Sequence, residues 1–205
     1  TFKVLDGGYA KDENHAYFQY EKAGWLDTVT LETLGENLLK DKNGVYFRKS
    51  RIYAADSNTI TVLNDYFSKD KDHVYFENKK IIDADPQTFT TAGEFYVKDK
   101  NQVYLNGDPL SGADAATFEE IGYMTGKDKN SVYFYDEKIE GADPKSFKIL
   151  QNGFSKDKNS VYISGFELEG ADSKTFDIIN EKYSKDKNFV YVIDRKINGM
   201  DPATF

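Results

Sequence analysis

The tetrapeptide Lys-Asp-x-Asn starts at Lys11, Lys40, Lys98, Lys127, Lys156 and Lys185, and its variant Lys-Asp-Lys-Asp starts at Lys69, so neighbours are always 29 residues apart. Seven units, 1–29, 30–58, 59–87, 88–116, 117–145, 146–174 and 175–203, fill the chain. Thr204-Phe205 then repeats Thr1-Phe2 and opens an eighth. No linker or composition shift interrupts the period, which predicts a single array over 1–205. A unit of this length buries too little apolar surface alone and must stack on its neighbours.

Aligned columns show what the unit requires. It opens Thr/Ser-apolar (Phe2, Leu31, Ile60, Phe89, Phe118, Phe147, Phe176), and an aliphatic or small residue follows three positions later. Beyond the Lys-Asp segment stands Ala16 or a Val, then Tyr in every unit, then Phe, Leu, Ile or Val. The Val-Tyr-Phe alternation is strand chemistry, with Val and Phe on one face and Tyr on the other. Asp-Lys-Asn between two apolar runs predicts a hairpin turn, with the Asp carboxylate bonding a nearby N–H and Asn accepting left-handed φ. The expected arms are Gly8–Asn14 and His15–Tyr20 and their equivalents, with a shorter strand after them around Lys80-Ile81-Ile82. Each unit closes on Asp27, Asp56, Asp85, Asp114, Asp143, Asp172 or Asp201, and Pro follows at 86, 144 and 202. Asp before Pro reads as the N-cap and first residue of one helical turn. The expected fold is therefore all-β, an array of seven β-hairpin repeats with a short helical turn in each, stacked as an open solenoid. A closed seven-bladed, propeller-like ring is the alternative, although 29 residues is short against the ~40 of an ordinary blade.

Composition narrows function by exclusion. With no Cys there is no disulfide, thiolate metal site or cysteine nucleophile. A net charge of −8 opposes binding to a phosphate backbone, so nucleic acid is not an expected partner. No run approaches the ~18 apolar residues of a membrane span, so this segment is not expected to insert. The chain starts at Thr1, and a targeting segment upstream of it is expected to have been removed.

The two segments Asp-Lys-Asn-x-Val-Tyr-Phe and Gly-Ala-Asp-Pro-x-Thr/Ser-Phe, as at 128–134 and 141–147, resemble the DKNYY family of bacterial repeat proteins. The resemblance covers all seven units, with departures at Glu13, Ala16 and Asp72. It implies an exported, periplasmic or cell-surface protein, and it carries over neither a defined activity nor a catalytic residue.

Candidate chemistry meets a column test. The Asp-x-Asn triplets carry hard oxygens suited to calcium, but a Lys precedes each one and another fills the middle of six. Turn formation is the expected role, without metal or cofactor. His15 and His73 share a column with Gly44, Gln102, Ser131, Ser160 and Phe189, so nothing there is constrained as a base or nucleophile would be. Glu119-Glu120 likewise falls where other units differ. No catalytic residue is expected, and the chain is read as a non-enzyme. The invariant column Tyr17, Tyr46, Tyr75, Tyr104, Tyr133, Tyr162 and Tyr191 has two readings. One is a ladder of rings fixing the stack. The other is a binding surface, flat ring faces for a sugar or peptide. Only Trp25 would supplement it. The expected function is a repeat scaffold that binds a protein partner in the bacterial envelope; a carbohydrate-binding module with a glycan partner is the alternative.

Overall fold

A computed structural model of the chain describes residues 2–205. Two compact units form. One holds the residues up to Thr91 with Lys98–Lys100 and Asn106–Asp108; the other holds Ala92–Val97, Asn101–Leu105 and Pro109–Phe205.

Secondary structure follows the period. The fold is all-β, as expected: seven four-stranded antiparallel sheets succeed one another along the chain, each an open meander whose consecutive strands are neighbours. In the sixth repeat the strands are Lys148–Ile149, Phe154–Lys156, Val161–Ile163 and Phe166–Glu167. The central pair is the expected hairpin, with Phe154 opposite Ile163 and Ser155 opposite Tyr162. Its arms are shorter than the sequence suggests: Tyr9–Lys11 and Ala16–Phe18 in the first repeat. The following strand is also shifted, to Lys79–Lys80 in the third repeat, leaving Ile81 to turn inward with its N–H on the Val74 carbonyl.

An additional strand lies in front of the hairpin. Lys148 pairs with Lys156 and Ile149 with Ser155. Two residues are too few to show a period of two, so no alternation in the sequence announces this strand. The expected helical turn is a single turn. The Phe147 N–H bonds the Asp143 carbonyl at 3.0 Å, four residues back, and no helix continues from it. The aspartate caps it as expected, Asp172 Oδ1 accepting the Thr175 N–H at 3.0 Å.

The left-handed backbone is not at the turn asparagines. In every repeat it falls on the tip that joins the third and fourth strands: Gln19, Arg48, Glu77, Asn106, Tyr135, Ser164 and Ile193, with φ between 49° and 61°. Hydrogen bonding holds these residues there, as when the Ser164 N–H reaches the Gly153 carbonyl at 2.9 Å. Only Asn106-Gly107 and Ser164-Gly165 carry a glycine that advertises such a turn.

Alternation sets the packing. Val161, Phe154 and Leu168 of the sixth repeat pack on Phe176 and Tyr191 of the seventh. Val132 and Ile139 pack on Phe147 and Tyr162, and Val45, Phe47 and Ile52 on Ile60 and Tyr75. The Val face of one sheet thus meets the Tyr face of the next. Both faces of a sheet are buried, and Val74, Val132, Val161 and Val190 are fully enclosed.

Candidate functional site

The Tyr column is interior. Tyr46, Tyr75, Tyr104, Tyr133, Tyr162 and Tyr191 are 5% exposed or less, and Tyr17 is half-buried. Each ring comes from the next-to-last residue of a short strand and packs near the opening apolar residue of a repeat; Phe147 and Tyr162 have ring centroids 5.6 Å apart. A sugar would need a run of open ring faces, and this column presents none.

The hydroxyls converge on the turn aspartates. Tyr75 donates to Asp70 at 2.8 Å, Tyr162 to Asp157 at 3.1 Å and Tyr191 to Asp186 at 2.8 Å. The first repeat repeats the bond from Tyr17 to Asp12. The other oxygen of each Asp accepts N–H groups inside the turn, as Asp157 Oδ1 does from Asn159 and Ser160. The Tyr-binding oxygen also accepts the N–H of an aspartate 14 residues upstream, in the preceding repeat. Asp143 bonds Asp157 in this way at 2.7 Å, Asp172 bonds Asp186 at 2.7 Å, and Asp27 bonds Asp41 at 2.7 Å. Burial pushes the Asp157 and Asp186 carboxyls up, but these donors outweigh it and hold both below the usual carboxylate range. Burial pushes the Tyr162 phenol up to about 12, with the Asp157 charge adding to it.

Lysine completes the junction from two sides. The middle Lys of the turn meets the closing Asp of the preceding repeat: Lys42 and Asp27 at 2.6 Å, Lys129 and Asp114 at 2.6 Å, Lys158 and Asp143 at 3.0 Å. The Lys42 hydrogen bond, helped by Thr30, pulls the Asp27 carboxyl down to about 2. The leading Lys reaches forward into the next helical turn, where Lys69 Nζ donates to the Pro86 and Phe89 carbonyls at 2.9 Å each. So Lys-Asp-x-Asn is a turn, as expected, and also a clasp between repeats. The second role was hidden in the sequence because its partners lie 14 to 20 residues away.

The remaining candidates have partners within their own repeat, save Glu120. His15 and His73 lie near the turn aspartates of their own repeats, at 3.7 Å and 4.0 Å. Ser160 donates to Glu167 at 2.8 Å. Glu120 accepts the N–H groups of Phe95 and Tyr96 at 2.9 Å and 3.2 Å, and Glu119 pairs with Lys127. Among the described residues no three His, Cys, Asp or Glu are grouped to hold a metal ion, and no helix is long and apolar enough to cross a membrane.

This clasp of Asp, Tyr and Lys is built from the residues that define the repeat, and the DKNYY family model matches residues 38–163 and 154–205. The chain belongs to the DKNYY family. No curated protein and no solved structure matches it. In this DKNYY chain the match starts in the second repeat, after the unit in which Glu13 replaces the clasp Lys and Ala16 replaces Val. What the clasp leaves outward is irregular. Tyr20, Tyr53, Tyr123 and Phe166 are at least 70% exposed. Each stands in a column where other repeats carry polar or small residues, save for Ile82 in the column of Tyr53.

Proposed function

We propose that this DKNYY array is a non-enzymatic scaffold that binds a protein partner in the bacterial envelope. The observation that supports it is a division of labour among side chains. Residues shared by all repeats hold repeats together, and large aromatic side chains unique to single repeats face solvent. Exposed Tyr and Phe in otherwise polar surroundings are the residue types that anchor protein interfaces. A binder that varies its tips while keeping its clasps can gain a partner without disturbing the stack. Photo-crosslinking residues placed beside Tyr20, Tyr53, Tyr123 and Phe166, in cells and in envelope extracts, should trap one discrete protein. A chain found in the cytoplasm, or one that traps no discrete protein from any of the four positions, would overturn the reading.

A further inference from the structure

Between the tips of the fifth and sixth repeats lies an open groove of about 570 Å³, within the ~300–1,000 Å³ range of ligand sites. Its apolar surface comes from Phe134, Ile139, Tyr135 and Phe166, the last of these 70% exposed. Gly165, at φ +83°, lets the sixth tip close down on Phe134, since a Cβ there would fall 2.8 Å from the Phe134 Cβ. Glu137–Lys138 and Phe166–Glu167 are the outermost strands of their sheets and carry no further ladder partner among the described residues.

Charge selects among occupants. Asp136, Glu137, Glu140 and Glu167 line the groove. Among the described residues lining it, Lys138 is the one cation, and that ammonium lies 3.7 Å from Glu140. The repeat does not impose this acidity. The corresponding tip of the second repeat reads Arg48-Lys49-Ser50-Arg51, and the third carries Lys79-Lys80.

We propose, resting on the scaffold reading above, that this groove docks an extended segment of a partner protein in which Lys or Arg alternates with apolar residues. A strand added along an outer edge presents alternate side chains to one face. Its cations meet the Glu137 and Glu140 carboxylates, and its apolar side chains cover Phe166 and Tyr135.

Fluorescence anisotropy of the full chain with a labelled peptide alternating Lys with Leu and Phe tests the groove, with the Glu-for-Lys peptide as control. The Lys peptide should bind, weaken between about 50 and about 500 mM salt, and lose about tenfold in affinity with Phe166→Ser and with the pair Glu137→Lys and Glu140→Lys. All three side chains are exposed, and an unchanged thermal melt checks that each variant is folded. The proposal falls if both peptides bind alike or if the variants bind within twofold of the parent. It falls too if the groove is filled instead by a second copy, seen as self-association in sedimentation that the peptide competes away. Capture of an envelope protein that survives the charge-reversed pair would overturn the groove and leave the scaffold standing; loss of all capture by the parent would remove the scaffold itself.

Discussion

Asp157 collects four donors from two repeats: two N–H groups of its own turn, the Tyr162 hydroxyl and the Asp143 N–H. Removing the carboxylate leaves those groups buried or half-buried without an acceptor. Asp157→Ala should therefore destabilise the chain by about 2–4 kcal/mol, and Tyr162→Phe, which deletes one charge-assisted bond, by about 1–2 kcal/mol. Urea titration of both variants checks the order, and equal losses would contradict it. The same carboxylates set an acid limit. Asp70, Asp157 and Asp186 are lowered in the folded chain, and Asp27 and Asp172 lie at about 2. Folding then releases protons, so this contribution is present above about pH 4, where free aspartate ionises, and is lost as pH falls toward the folded values. Circular dichroism against pH should show one steep loss between about pH 4 and about pH 2, steeper than a single carboxyl could produce. At this scale the sequence is clear about identity and silent about partners. Repetition marks Asp, Lys and Tyr as required, while the 14-residue reach from Asp143 to Asp157 becomes visible only once the sheets are stacked.

The element that most resists reading from sequence is the second hairpin tip. Its left-handed residue is Gln, Arg, Glu, Asn, Tyr, Ser or Ile according to repeat, so composition gives no signal; a backbone N–H bond to the residue just before the second strand, as from Ser164 to Gly153, and the strand pairing impose the φ from outside. The first strand fails for a related reason, being a dipeptide defined by what it pairs with in every repeat but the fifth, where it runs Glu119–Gly122. The central hairpin, by contrast, is written in Val-Tyr-Phe and its Asx turn and needs no tertiary help to be seen. Strain at the tip is testable. Ile193 is β-branched, 54% exposed and held at φ 55°. Ile193→Asn should stabilise by about 1 kcal/mol, because Asn tolerates that region and little packing is lost. Gly165→Ala should cost about 1–3 kcal/mol through the contact with Phe134, whereas Gly141→Ala, at φ +77° with open space, carries only the backbone strain of about 1 kcal/mol. Guanidinium unfolding separates the two glycines, and an equal loss would show that the Phe134 contact is not what matters.

At the scale of the molecule, the hydrogen bonds and ion pairs described above are short-range in repeat number, joining a repeat to itself or to its neighbour. Excising residues 146–174 as one block preserves the junction chemistry. Lys145 would then precede Thr175 where Ser146 stood, and Asp143 would meet Asp186 and Lys187 in place of Asp157 and Lys158. The shortened chain should fold, with a denaturant m-value lower by about one seventh. Excising 14 residues, about half a period, should abolish folding because Val and Tyr faces would no longer meet. A consequence reaches back to synthesis. The Asp143 N–H reaches Asp157, and its carboxylate adds Lys158 to the Ser146 hydroxyl it already holds, only when those residues have been added, so on the ribosome each junction stays unfinished until half of the next repeat has emerged. The nascent chain should settle from its N-terminus in steps that trail elongation by about half a repeat, and a pause placed between Asp143 and Asp157 would hold the growing end open, with the preceding Val face uncovered.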